Sequence, residues 1–464
     1  MYSLITLLEG SRYYSNARYC CLKSLLCIVL MMAFSSAHSK GSDSEPLLLL
    51  YKAALAYDAN FGAAVFDQEA RYERLALARS SLLPGIKLKA NVAYNVQVVE
   101  YDNAPPFFQS GDHNFNSNSI GIQITQPLYR KERFEAYRQG KVEARRANTL
   151  FAIAKQQLIL DVSRNYFNVL LTQDRVVLID AEKSANKKLL IQAKRGFEVG
   201  SASITGVNEA QARFDLSVSE AIDARKNSSI ASRALATLVG SKSSWIASTY
   251  HTPPLQKSVL TLGQWTELAS IHNLNIHLAT EALEIAQLEI GRTWGLALPK
   301  LDLVVSYDTT SASGSDFDTA IDTSNNRIML EANIPIYAGG AVRARLKQKR
   351  AEHHSAQKKL TAARRDAAFQ VEEAYLAHES GGHRIKALQQ SLFSSETSLA
   401  SIQRGFELGL HTGIDVLDSQ RQFYEAKLAL AEAQYGYLFD YLRLAAAAGQ
   451  LNVTNIHYID SILN

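Results

Sequence analysis

RGFELGLHTGIDVLDSQRQF, Arg404 to Phe423, has a counterpart earlier in the chain, RGFEVGSASITGVNEAQARF, at Arg195 to Phe214. Eight of the twenty positions are identical, so chance similarity is a poor account of the pair. Each copy follows a long run rich in Ala and Gln with helical spacing, contains a Gly break, and leads into a second helical run. A break of this kind between two helical runs reads as the tip of a helix hairpin, here present twice. The flanks repeat as well. Leu83-Pro84 and Leu298-Pro299 each precede an alternating stretch, and Pro127 to Tyr129 and Pro335 to Tyr337 each follow the next one. The chain therefore divides into two repeats, 38–240 and 262–451, each ordered helix, strand, strand, long helix, tip, helix. A linker, 241–261 with Pro253-Pro254, joins them, and beyond Gly449 the periodicity fades into a tail, 452–464. The repeat is too long for a solenoid and reads as an internal duplication.

Residues 1–37 differ from the rest: Arg12, Arg18 and Lys23 precede an apolar run, Leu25 to Phe34, and Ser35-Ser36-Ala37 supplies small residues. This is the pattern of a secretory signal peptide. The three cysteines, Cys20, Cys21 and Cys27, all lie in it, so a chain cleaved after Ala37 has neither a disulfide framework nor a thiolate metal site. His38, where a lipid anchor would need cysteine, argues against lipidation. A formal net charge of +4 with no basic stripe gives no sign of nucleic acid. No apolar stretch of about 18 residues follows the leader, so a membrane crossing must use strands.

Leu47 to Leu82 has helical spacing and is expected to stop at Pro84, which removes a donor. From Ile86 the period becomes two. Ile86, Leu88, Ala90, Val92, Tyr94, Val96 and Val98 alternate with Lys87, Lys89, Asn91, Asn95 and Gln97, and Ile120, Ile122 and Ile124 alternate within Ser119 to Pro127. The second repeat does the same with Leu301, Leu303, Val305 and Tyr307, then Ile328, Leu330, Ala332 and Ile334. Tyr101 to Asn118 and Thr309 to Asn326 are polar and read as external loops. A sheet half-buried against helices would also alternate. Read as membrane strands, Leu88, Val92, Ile122, Leu303 and Leu330 face lipid. A closed barrel takes about eight strands or more and an open edge cannot persist in lipid, so several chains must share one barrel. The two long helical runs, each about 65 residues, would reach roughly 95 Å. Gly381-Gly382 interrupts the second, where a kink or local unwinding is expected.

These residues resemble the TolC-type outer-membrane efflux and export channels. The resemblance rests on the two tips, the Leu-Pro pairs, Ile334-Pro335-Ile336-Tyr337-Ala338-Gly339-Gly340 after the last strand, and Asn165-Tyr166-Phe167-Asn168-Val169-Leu170 in the first long helix. It implies a mixed α/β membrane protein: a homotrimeric 12-stranded outer-membrane β-barrel, four strands per chain, continuous with a long α-helical coiled-coil periplasmic tube of 12 helices. It further implies a passive conduit for drugs, small solutes or secreted polypeptides, in a tripartite efflux or type I secretion system. Its partners would be a periplasmic adaptor protein, an inner-membrane transporter and outer-membrane lipid. The alternative is a soluble periplasmic helical-hairpin adaptor or scaffold of a transport complex.

The family narrows its entrance with a ring of aspartates, which places Asp415 and Asp418 at a constriction. Three apart on one helix, they lie on one face, and capping of the helix N-terminus is the other role open to them. The corresponding places in the first tip are Gly206 and Glu209, the latter a further acidic group or simply a solvated one. The family closes its tips with a tyrosine and an arginine tied to a threonine and an aspartate. Here those positions hold Phe406, His411, Thr205 and Gly206, so three of the four lock groups are changed. Phe donates no hydrogen bond and Gly has no side-chain acceptor, which puts the family gate in doubt. His411 also fits a plain turn residue. No phosphate loop, HExxH or nucleophile elbow is present, and His353-His354 lies on a charged helical face. The sequence thus points to no catalytic residue, no cofactor and no metal.

Overall fold

The computed structural model describes residues 46–100, 102, 110–240, 260–314 and 320–463. The expected signal peptide with its cysteines and nearly all of the expected linker lie outside the described residues, as do parts of both strand-to-strand loops.

The expected first helix is two helices. α1, Pro46–Tyr57, ends where Asp58 turns extended (φ −63°, ψ 120°), and α2, Ala59–Ser80, starts there. The Phe61 amide donates to Asp58 Oδ1 at 2.6 Å, so the carboxylate caps α2 and fixes the break. Four antiparallel strands follow in two pairs: β1 (Gly85–Val99) with β2 (Gly111–Tyr129), and β3 (Lys300–Ala312) with β4 (Ile321–Asn333). Their order is β1-β2-β3-β4, so the β2–β3 ladder joins the halves while β1 and β4 are edges. Pro127, which has no N–H to give, sits at a register shift of β2 opposite β3.

The strands are longer than their alternation indicates. β2 begins at Gly111, and β3 and β4 extend to Ala312 and from Ile321, all inside the stretches expected to be loops. A ladder is a backbone structure and tolerates polar side chains, which here bond across it. Asn95 donates to Ser117 Oγ at 2.8 Å, and Thr309 and Ser324 hydroxyls meet at 3.3 Å.

The helical part consists of α3 (Lys131–Glu198), α4 (Ile204–Val239), α5 (Leu262–His272), α6 (Leu274–Gly295), α7 (Ala341–Glu407) and α8 (Gly413–Ala447). With α1, α2 and the strands, the same succession of elements occurs twice. α3 is 68 residues long, about 100 Å at 1.5 Å per residue. It pairs with α4, and α7 with α8, as two helix hairpins. The largest buried cluster uses Ile159, Val162, Tyr166 and Val169 of α3, at spacings of three and four that make one face. Leu235, Ile385, Leu438 and Leu442 meet them from the other long helices.

Two expectations, a local unwinding at Gly381-Gly382 and a tail without periodic structure, are corrected by this packing. α7 runs without interruption through Gly381-Gly382. The glycines lie against Tyr437 of α8, where a Cβ on Gly381 would stand 3.4 Å from its ring and one on Gly382 3.6 Å, both ordinary contacts. Neighbouring His378 stacks on the same ring at 4.1 Å, so packing offsets the low helix propensity. The tail is also structured, forming α9, Val453–Leu463. Ile456, Ile459 and Asp460 form its buried face, and Asp460 accepts from the Leu47 and Leu48 amides at 3.0 and 2.9 Å. A carboxylate on free amides at a helix start satisfies donors that the helix cannot.

Candidate functional site at the helix tips and across the sheet

The two tips are built alike. At each, a Gly takes a left-handed conformation just past the helix end, Gly200 at φ 74° and Gly409 at φ 76°. The chain then folds back on a second glycine: Ser201 and Ala202 amides donate to Gly196 O at 2.8 and 3.1 Å, and Leu410 and His411 amides to Gly405 O at 2.7 and 3.4 Å. These second glycines are needed because the returning chain lies on them. A Cβ on Gly196 would meet Ala202 Cβ at 3.1 Å, and one on Gly405 would meet the His411 ring at 2.4 Å. Ser203 and Thr412 then cap α4 and α8.

Asp415 belongs to the second cap. Its Oδ2 accepts from the amide and the hydroxyl of Thr412, both at 2.8 Å, and its amide donates back to Thr412 Oγ1 at 3.3 Å. Those bonds, with His411 Nδ1 at 3.6 Å, hold its carboxyl below the usual range. Asp418 is held differently, accepting from Arg213 of α4 at 2.7 Å. This ion pair joins the two tips, next to a small core of Leu190, Ala210 and Leu417.

The anticipated lock positions are not brought together across the tips in this way. Phe406 packs near Gly413 of its own tip, and His411 covers Gly405. Thr205 is exposed and Glu209 half-exposed, and neither has an ion pair or side-chain hydrogen bond among the described residues. Arg213 was missed, although it stands inside the repeated stretch, because only its partner's position on another helix gives it a role. Further along the hairpins, burial first, then Glu220 and Glu425, push the Glu182 carboxyl up to about 7 against the pull of Arg421 and Arg213.

The sheet register sorts side chains into two faces. Leu88 pairs with Ile122 and Ile122 with Tyr307; Ile86, Ile124, Val305 and Ile328 form the adjacent row; Leu303 pairs with Leu330. With Val92 at the same parity as Leu88, all five residues expected to face lipid share one face. Leu88, Val92 and Leu330 are 67%, 84% and 61% exposed and Leu303 is half-buried, so most of that face is uncovered among the described residues. Opposite it, Asp302 is buried and held by both Nε and Nη2 of Arg130, which ties the end of β2 to β3.

Among the described residues no His, Cys, Asp and Glu cluster is placed to hold a metal. No described helix is long and apolar enough to cross a membrane, a fact that does not bear on a β-barrel.

The sequence pattern of the family described as outer membrane efflux protein matches residues 50–241 and 265–450. The chain belongs to this family. Outer membrane efflux proteins to which it is similar include outer membrane protein TolC of Escherichia coli, 28% identical over 96% of this chain and 90% of that relative. The proteases secretion protein PrtF of Dickeya chrysanthemi is 26% identical over 92% of each. The solved Campylobacter jejuni CmeC outer membrane channel superposes with a TM-score of 0.75 at 18% identity, covering 93% of this chain and 94% of that one. As an outer membrane efflux protein the chain is an outer-membrane channel of the efflux and type I secretion class, with its helices in the periplasm. The soluble adaptor is not favoured, and the family is one of transport channels rather than enzymes.

Proposed function

We propose that three copies close a 12-stranded barrel, four strands from each, and that their long helices form one periplasmic tube ending at the six tips. The observation that carries this reading is the sheet itself: four strands, two free edges and one uncovered apolar face. Ile336 and Tyr337, just beyond β4, are 95% and 85% exposed and would be covered by a neighbouring chain. In this assembly the conduit is passive, and drugs, small solutes or secreted polypeptides enter at the tips from an inner-membrane transporter held by a periplasmic adaptor. Asp415 and Asp418 of three chains line the entrance, with Asp418 partly neutralised by Arg213. Such a mouth favours cations, because field lines concentrate in a narrow low-dielectric passage.

The test is to purify the protein in detergent, measure its mass by light scattering, and record from planar bilayers. A trimer with stepwise, cation-preferring conductance is expected. A monodisperse monomer that never conducts overturns the assembly.

A further inference from the structure

Opposite the apolar face, the register lines up two rows that the conduit reading leaves without a role. Lys87 pairs with Gln123, Gln123 with Ser306 and Ser306 with Arg327; in the next row Lys89, Gly121, Asp308 and Asn325 follow one another. A neutral row, Asn91, Ser119, Thr310 and Thr323, comes after these. Lys87 and Lys89 are successive residues on one face of β1, about 6.6–6.8 Å apart along the strand. Arg327 stands on the opposite edge strand at the ladder position of Lys87.

Among the described residues these cations have no partner. Lys87, Lys89 and Arg327 are exposed, and none forms an ion pair or a side-chain hydrogen bond among the described residues. Asp308, the one carboxylate in the two rows, accepts from Asn325 Nδ2 at 3.2 Å. Asp302, nearer the helices, is taken by Arg130. Gly121 adds no side chain between Lys89 and Asp308, because its Cβ would lie 3.0 Å from Asp308 Cβ and 3.1 Å from Tyr307 O. Glu331, four residues from Arg327 on the same face of β4 and paired with Asp302, is a second carboxylate. Beside the Arg130–Asp302 pair the face still carries three cations, Lys87, Lys89 and Arg327, against two carboxylates, Asp308 and Glu331, with the cations on both edges.

We propose that this face forms a basic band inside the barrel that binds small polyvalent anions carrying several phosphate groups. The proposal rests on the reading of the sheet as a trimeric barrel with the apolar face outward. Three copies bring the Lys87, Lys89 and Arg327 sets around one lumen, where the low-dielectric wall strengthens their joint field. Lysine meets phosphate as a point charge and arginine as a planar fork, so the three together suit crowded phosphates better than a single carboxylate. The conduit then has opposite charge at its two ends, acidic at the tips and basic in the barrel. An anion arriving from the exterior meets the band first.

The experiment uses the full-length protein in planar bilayers, with inositol hexakisphosphate added to one side at a time. Block is expected from the barrel side, in 0.1 M salt but not in 1 M salt, since screening shortens the reach of charge from about 10 Å to about 3 Å. The triple variant Lys87→Gln, Lys89→Gln, Arg327→Gln should need at least about tenfold more of the anion for half block, a loss of about 1.4 kcal/mol. Lys87→Arg with Lys89→Arg should keep it. Calorimetric titration of detergent-solubilised parent with the same anion gives a second readout should the triple variant fail to assemble. A conducting parent that neither is blocked nor binds the anion overturns the band, as does block unchanged in the triple variant. A parent that does not conduct at all overturns the conduit reading instead, and this one with it.

Discussion

Asp415 and Asp418 occupy one face of α8, yet their partners give them separate duties. Thr412 donates to Asp415 from amide and hydroxyl, so its carboxyl stays ionised below the usual range. A depressed folded pKa contributes stability that is present above the unfolded value and lost as pH falls through the folded one. Cation preference of the channel should therefore persist as pH is lowered through the ordinary carboxylate range, and Asp415→Asn should reduce it wherever the pH lies above the depressed folded pKa of Asp415. Reversal potentials in a salt gradient measure both. Arg213→Gln should act in the opposite sense by uncovering Asp418: tighter block by a trivalent cation from the tip side, and more frequent openings if the pair also ties the tips. Of this site, the acidic residues and the glycine turns were legible in the sequence, because capping and left-handed turns are local. The Arg213 tie was not, because it joins residues far apart in the chain that only meet once both hairpins have packed.

Helices and strands were legible where one period holds along the whole element. β1 was read nearly to its ends, since lipid-type alternation covers it, whereas β2 to β4 outrun their apolar residues. α9 was missed because only a short face of it is apolar, and its burial depends on α1. In α7 the glycine pair breaks the propensity pattern, yet the helix persists because it packs on α8, where His378 stacks on the ring of Tyr437. Gly382→Ala leaves an ordinary 3.6 Å contact with that ring and should stabilise the protein by about 0.5–1 kcal/mol, read as a rise in melting temperature. Glu182 supplies a pH test at the same scale. Its folded pKa, about 7, lies above the ordinary value, so the folded protein holds a proton that the unfolded chain has released. Stability from this group should fall as pH rises from about 4.5 to 7 and then level off. Glu182→Gln should flatten that slope, with the gain in melting temperature largest at pH 8 and smallest at pH 4. An unchanged slope would mean that assembly re-exposes the carboxyl.

For the whole molecule, the decisive relation is the one between β2 and β3, which closes two similar halves into one sheet. Neither half announces it, since alternation gives faces but not neighbours. If the apolar face meets lipid, Leu303→Arg should cost about 2–4 kcal/mol and lower the yield of assembled trimer on native gels. Asp302→Asn should loosen the join of β2 to β3 by about 1.5–3 kcal/mol without exposing a charge to lipid. The contact of Asp460 with the first amides of α1 carries a consequence for biogenesis. α1 is capped by a residue that follows Leu48 by 412 positions. No nascent chain can finish the core around Leu47 and Tyr51 before α9 has been synthesised. Completion of this core thus waits on α9, and a chain truncated before α9 should remain a substrate for periplasmic chaperones and proteases.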